Sequence, residues 1–175
     1  MSFYRPSSNM KKEPPMPKTD IQATPNSLDI TVTREFAAPP ALVYRAYSEP
    51  DLLKKWMGTK QYEMTFDFYD LRHGGGYRHV HKDNDGNVVF AFRGVFHGEP
   101  SVENGISQTF EWEGLPGHVN FERITFEEIE PGRTLLRNHS VYLSQEDRDG
   151  MLESMESGVI EGFEQLDELL ETLKS

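Results

Sequence analysis

The hydrophobic pattern of the chain changes period along its length, and these changes predict its elements. Residues 28–36 alternate between apolar and polar positions, as do most segments between residues 61 and 143. This period of two is typical of half-buried strands. After the first such segment, Pro39-Pro40 and Pro50 each precede apolar residues at helical spacing, which predicts two short helices.

Turn-forming residues separate the later strands. Gly74-Gly75-Gly76, Asp83-Asn84-Asp85-Gly86 and Glu130-Pro131-Gly132 each stand between two alternating segments. Connections this short join antiparallel neighbours, so the central part of the chain is predicted to form an antiparallel meander.

The last part of the chain follows a helical period. Ser144 lies three residues before Asp147, a spacing that can cap a helix start. A sheet of about seven strands twists enough to curl around one long helix. The predicted fold is therefore α+β, with a curved antiparallel sheet, two short helices and a long C-terminal helix. Apolar residues three or four positions apart predict one apolar stripe on that helix: Met151, Met155, Val159, Phe163, Leu166, Leu170 and Leu173.

The beginning of the chain has a different composition. Residues 1–26 contain five of the eleven prolines and few residues that could form a core. We therefore expect a flexible proline-rich tail at 1–26 and one domain at 27–175. The N-terminus lacks the apolar segment of a secretion signal, and no run is long enough to span a membrane, so we expect a cytoplasmic protein.

Charge and composition exclude several classes of function. With 29 acidic and 18 basic side chains the net charge is −11, which disfavours binding to nucleic acid. The absence of cysteine excludes disulfides and thiolate ligands. His79 and His81 point to one side of a predicted strand, but no H-E-x-x-H motif accompanies them. We predict no metal, no other cofactor and no identifiable catalytic residue.

The ordered segments resemble a known family. TREFAAPPALVYRAYSEPDLLKKWMG is similar to the opening signature of activator-of-heat-shock-protein-90-ATPase-like proteins, in the START-like (SRPBCC) superfamily. FRGVFHGEP, TFEWEG, ITFEEIEPGRTLL and the closing helix follow in the family's order. The resemblance covers roughly residues 27–173. It implies the helix-grip fold, with a cavity between sheet and helix, but no single activity, because relatives include lipid carriers, polyketide cyclases and co-chaperone domains.

Large apolar side chains on the predicted inner surfaces are the candidate ligand-binding residues. Aromatic side chains can form the walls of a pocket, and methionines can adapt to varied ligands. A strand arginine could bind an anionic ligand group. The candidates are Trp56, Phe90, Phe92, Phe110, Trp112, Arg137, Met151, Met155, Val159 and Phe163. Plain core packing is the alternative for the aromatic and methionine residues.

Three functions fit this pattern. The first is binding of an apolar or amphipathic small molecule, in a protein with a possible stress-related role. The second is a co-chaperone-like regulator of a heat-shock chaperone ATPase, in which case another protein would be the partner. The third is a metal-free polyketide cyclase or dehydratase-like enzyme. The residues favour binding over catalysis, and the contents of the cavity would distinguish the three.

Overall fold

The computed structural model describes residues 18–175, which form a single antiparallel sheet and three helices. The strands are β1 (Asp20–Gln22), β2 (Asp29–Phe36), β3 (Glu63–Tyr69), β4 (Gly76–Lys82), β5 (Val88–Ser101), β6 (Gly105–Trp112), β7 (Val119–Glu130) and β8 (Arg133–Val141). The helices are α1 (Pro40–Ser48), α2 (Pro50–Trp56) and α3 (Gln145–Leu173). The strand order across the sheet is β1-β2-β8-β7-β6-β5-β4-β3. The predicted α+β helix-grip architecture is confirmed, with eight strands among the described residues instead of about seven.

The additional strand lies inside the predicted tail. Asp20–Gln22 pairs antiparallel with Thr31–Thr33 of β2, so the sheet begins before the predicted domain boundary at Ser27. The sequence gives little indication of this strand, because it has only three residues and an edge strand needs little apolar character. The rest of the predicted tail, residues 1–17, lies outside the described residues.

The two short helices connect β2, near one edge of the sheet, with β3 at the other edge. Each has proline in its first turn. Gly58 follows α2 with a φ of 86°, and a Cβ there would lie 2.9 Å from Cε1 of His81. Glycine therefore suits both the left-handed backbone and the close approach of the chain to β4.

The long helix α3 lies along one face of the sheet, called here the inner face. Ser144 Oγ accepts a hydrogen bond of 3.1 Å from the backbone N–H of Asp147, so the predicted cap forms. Phe163, Leu166 and Leu170 are buried in the core. At the same end of the helix, Arg34 of β2 donates two hydrogen bonds to Asp167, of 3.1 and 2.6 Å. The helix therefore lies along the sheet, as the sequence pattern predicts.

None of the helices in residues 18–175 is both long enough and apolar enough to cross a membrane.

Candidate functional site

A cavity of about 170 Å³ lies between the first half of α3 and the inner face of the sheet. We call it the inner cavity. One wall comes from α3 and the opposite surface from strands β2, β6, β7 and β8. Its lining residues are Val32, Phe110, Asn120, Glu122, Asn138, Ser140, Tyr142, Met151, Met155, Val159 and Phe163.

Polar side chains on β7 and β8 form one side of the inner cavity. Gln108 Nε2 donates a 2.5 Å hydrogen bond to Glu122 Oε1, and Asn138 Nδ2 donates one of 3.2 Å to Glu122 Oε2. Ser140 Oγ donates to Asn138 Oδ1 at 3.4 Å, which orients that amide with its NH₂ group toward Glu122. Neutral donors therefore hold both carboxylate oxygens in place.

Burial dominates the electrostatics of this group. Removal from water raises the pKa of Glu122, although the hydrogen bonds from Gln108 and Asn138 act in the opposite direction. Burial likewise raises the pKa of the Tyr142 hydroxyl to about 12, with the nearby Glu122 adding to the shift. Tyr142 therefore stays neutral at physiological pH, and Glu122 keeps its proton to a higher pH than an exposed glutamate.

Asn120 contributes a side-chain amide to the polar side of the inner cavity. It lines the cavity and is 5% exposed, but it does not belong to the residues in 18–175 that have a fully buried and unpaired polar side-chain atom, which are Arg34, Thr59 and Arg148. Its backbone pairs with Phe110 of β6, which fixes the side chain on the inner face. The amide of Asn120 is therefore available to whatever enters the cavity.

Five of the predicted binding residues line the inner cavity. Four of them come from the helical stripe, and the fifth is the inner-facing aromatic residue of β6: Met151, Met155, Val159, Phe163 and Phe110. The helical spacing places the first four on the side of α3 that faces the sheet.

Four other predicted aromatic residues do not line it. Trp56 is buried in the core, where Nε1 donates to the backbone oxygen of Ala46 at 2.9 Å. Phe92 is stacked between His79 and Phe110, behind the wall of the cavity.

Phe90 and Trp112 lie on the inner face but away from α3. Phe90 packs against Tyr62, and the ring of Trp112 lies over the backbone of Gly114. These residues therefore lie outside the lining of the inner cavity, which extends over β2, β6, β7 and β8 but not over β5.

Arg137, the last of the predicted binding residues, also lies outside the lining of the inner cavity. Its neighbours Leu136 and Asn138 face inward, so the alternation of β8 turns the exposed Arg137 to the outer face. It therefore cannot contribute to the inner cavity.

Two further pairs of charged residues also lie on the outer face of the sheet. Arg78 pairs with Glu113 at 2.7 Å, and Arg93 with Glu111 at 2.8 Å. The N–H of Gly117, and next Arg93, lower the pKa of Glu111.

His79 and His81 are buried and contact each other. Nδ1 of His79 lies 3.1 Å from Nε2 of His81, and both rings are buried. Burial, and next the neighbouring His81, lower the pKa of His79 to about 3. In the described part of the chain, no three His, Asp or Glu side chains are grouped as a metal site would require. The pair is a packed element of the sheet next to Phe66 and Tyr77.

A wider depression of about 320 Å³ lies at the edge of the sheet, beside α2 and β3. Lys54, Lys55, Lys60 and Glu63 line it and are exposed to solvent. Its lining also includes Met57 and Met64, but the inner cavity adjoins the buried core residues Val32 and Phe163 and is therefore the stronger candidate site.

The polar residues of the inner cavity were missed in the sequence, although a signal for them exists. On β7, Asn120 and Glu122 share their alternation with the buried Ile124 and Phe126. Polar residues at inward positions of a strand are unusual, and they indicate either a buried hydrogen-bond network or a functional site.

Comparison with known proteins agrees with this architecture. The family model described as "Activator of Hsp90 ATPase homolog 1-like protein" matches residues 37–171. A search of curated proteins found no match.

Solved structures similar to this chain come from several bacteria. Protein Ms6760 from Mycobacterium smegmatis is 26% identical, with a TM-score of 0.71, and the match covers 90% of this chain and 96% of that one. A Nitrosomonas europaea protein is also 26% identical, with a TM-score of 0.68 and coverage of 86% and 99%. A Rhodobacter sphaeroides protein shares the fold at 21% identity, with a TM-score of 0.78 and coverage of 89% and 99%. The chain belongs to the activator-of-Hsp90-ATPase-homologue-1-like family, within the START-like superfamily.

Proposed function

We propose that this protein binds a small amphipathic molecule in the inner cavity. The observation that carries the proposal is the mixed lining of the cavity, where the apolar Met151 and Met155 accompany the polar Glu122 and the side-chain amide of Asn120. A ligand with a hydroxyl, amide or amine group would satisfy that amide. Its apolar part would lie against Met151, Met155 and Phe110.

The size of the cavity limits the ligand. Drug-sized ligands usually occupy about 300–1,000 Å³, whereas the inner cavity measures about 170 Å³. An engineered cavity of about 150 Å³ in another protein accepts benzene. The expected ligand is therefore one ring or a short chain with one polar group, which is smaller than a membrane lipid or a flavonoid.

Adaptable side chains support binding over simple packing. Met151, Met155 and Val159 are half-buried, and methionine adjusts its shape at little cost. Membership of a superfamily that includes ligand carriers supports the proposal at a coarse level.

Benzyl alcohol tests the proposal, because it combines a benzene ring with one hydroxyl. Stability against urea would be measured with and without it, for the natural chain, Val159→Phe and Ile160→Phe. Val159 lines the cavity, whereas its neighbour Ile160 is 37% exposed, so the second variant is a matched control. A ligand at ten times its Kd stabilises by about 1.4 kcal/mol.

We expect that gain in the natural chain and in Ile160→Phe, and its loss in Val159→Phe. If Val159→Phe does not fold, Asn120→Leu replaces it, and its affinity for benzyl alcohol should fall relative to toluene. No stabilisation of the natural chain, or equal stabilisation of all variants, would overturn the proposal.

Regulation of a chaperone ATPase is a second candidate, supported by the description of the matching family model. The acidic chain could approach a basic partner surface. Titration of a purified Hsp90-type ATPase with this protein tests it, and unchanged hydrolysis across the titration would contradict it. A cyclase or dehydratase is less well supported. Its two ionisable cavity groups would be Glu122 and Tyr142, and none of the described lining residues is a Lys, Arg or His that could stabilise an enolate.

A further inference from the structure

The charge of the inner cavity is one-sided. Glu122 is the single carboxyl group among its described lining residues, and Lys, Arg and His are absent from that lining. The hydrogen bonds to Glu122 come from the neutral amides of Gln108 and Asn138. Neutral donors orient a carboxylate but supply no countercharge, so an ionised Glu122 would be a buried and unpaired anion.

The buried arginines of the domain are occupied elsewhere. Arg34 donates both of its terminal nitrogens to Asp167 at the far end of α3. Arg148 pairs with Asp149 and donates to the backbone oxygen of Thr24. Neither lines the inner cavity, so within residues 18–175 no arginine places a positive charge beside Glu122, and a cationic ligand would supply one.

The remaining walls favour a cation as well. Phe110 and Phe163 present aromatic rings to the cavity, and a ring face attracts a positive charge. The amide oxygen of Asn120 is a second acceptor near Glu122. The net charge of −11 draws cations toward the protein and repels anions.

We infer that the ligand of the inner cavity is a small primary amine, bound as its ammonium ion. This inference rests on the proposed binding function. The ammonium group lies between Glu122 and Asn120, and the apolar group lies under Met151 and Met155. A bound ammonium ion also removes the cost of ionising the buried acid, which burial otherwise keeps protonated to a higher pH.

Three ligands that share a ring test this inference: benzylamine, benzyl alcohol and benzoate. Their Kd values would be measured by calorimetry at neutral pH for the natural chain, Glu122→Gln and Glu127→Gln. Glu127 is exposed on the outer face of the same strand, so both variants lose one negative charge and differ in its position.

A hydrogen bond to a charged group contributes about 1.5–3 kcal/mol, so benzylamine should bind about tenfold or more tightly than benzyl alcohol. Benzoate should not bind. Glu122→Gln should remove the preference for benzylamine while retaining benzyl alcohol, and Glu127→Gln should leave the preference unchanged.

The outcomes separate the two proposals. If benzyl alcohol binds and benzylamine binds no more tightly, the amine inference is overturned and the binding function stands. A preference for benzylamine that persists in Glu122→Gln also overturns it. If none of the three compounds binds, the binding function fails, and the inference fails with it.

Discussion

The two halves of α3 lie against the same sheet but contact different environments. In the second half, Phe163, Leu166 and Leu170 are buried, and the ring of Phe163 packs edge-on against Phe36 at 5.5 Å. In the first half, Met151 and Met155 are half-buried above the inner cavity. The helix carries one apolar stripe throughout, so the difference does not come from the helix.

The sheet causes the difference. Along β7 the inward positions change from Asn120 and Glu122 to Ile124 and Phe126, and β8 changes in the same direction, from Ser140 to Leu136. Register aligns Glu122 with Ser140 and Phe126 with Leu136, so the polar positions collect at one end of the sheet. One end is therefore filled and stabilises the fold, whereas the other gives up packing for a polar cavity.

The largest test of this contrast is a pair of truncations on α3. Leu166→Ala removes a side chain that is 0% exposed and should cost about 2–5 kcal/mol of unfolding free energy. Met155→Ala, beside an existing cavity, should cost about 1 kcal/mol or less, because few contacts are lost. Urea unfolding measures both, and similar losses would contradict the contrast.

The next largest effect is expected from the protonation of His79, a buried polar residue of β4. The folded-state pKa of His79, about 3, lies below its ordinary value of 6.5, so its neutral form stabilises the fold. The contribution of neutral His79 to the free energy of unfolding is complete above pH 6.5 and is lost as the pH falls toward 3. By linkage, the loss from His79 at pH 5 is about 2 kcal/mol.

His79→Phe keeps a ring in the stack but cannot bind the proton. Its free energy of unfolding should fall less between pH 7.5 and pH 5 than that of the natural chain. Parallel curves for the two proteins would show that the pair is solvated instead of buried.

Glu122 should give the smallest effect on stability, with the opposite sign. Its folded-state pKa is raised, so the folded state holds its proton longer than the unfolded state. Its contribution to stability is therefore complete below the unfolded-state pKa and declines as the pH rises through the folded-state pKa. Relative to the natural chain, Glu122→Gln should gain stability with rising pH, because it removes the carboxyl group whose ionisation burial disfavours.

Glu127→Gln is the control for this effect, because its carboxyl group is exposed on the outer face. Its stability relative to the natural chain should change little between pH 4.5 and pH 7.5. If Glu127→Gln gained as much stability with rising pH as Glu122→Gln, the change in net charge alone would explain the effect of both substitutions.

The sequence predicts the helix and one wall of the cavity well. Met151, Met155, Val159 and Phe163 follow from helical spacing, which determines the face of a helix directly. Strand faces are harder, because a shift of one residue reverses the side, as for Arg137. Phe90 and Trp112 have the correct side but lie beyond α3, and the path of a helix over a curved sheet depends on tertiary packing.

The polar side of the site was missed for another reason. Alternating polar positions indicate the solvent side of a strand, and Asn120 and Glu122 looked like further members of that class. Their parity with Ile124 and Phe126 places them inside. A polar residue in the apolar phase of a strand is therefore worth examining as a candidate site before the structure is known.

The most direct test of ligand binding at the polar end of α3 is an NMR titration with benzyl alcohol. The signals followed would be the methionine methyl groups and the side-chain amide of Asn120. We expect saturable shifts at Met151, Met155 and Asn120, with little change at Met64, which is buried on β3 away from the inner cavity. Saturable shifts at Met64 without shifts at Asn120, or no saturable shift at any of these groups, would contradict the presence of a binding site between α3 and the sheet.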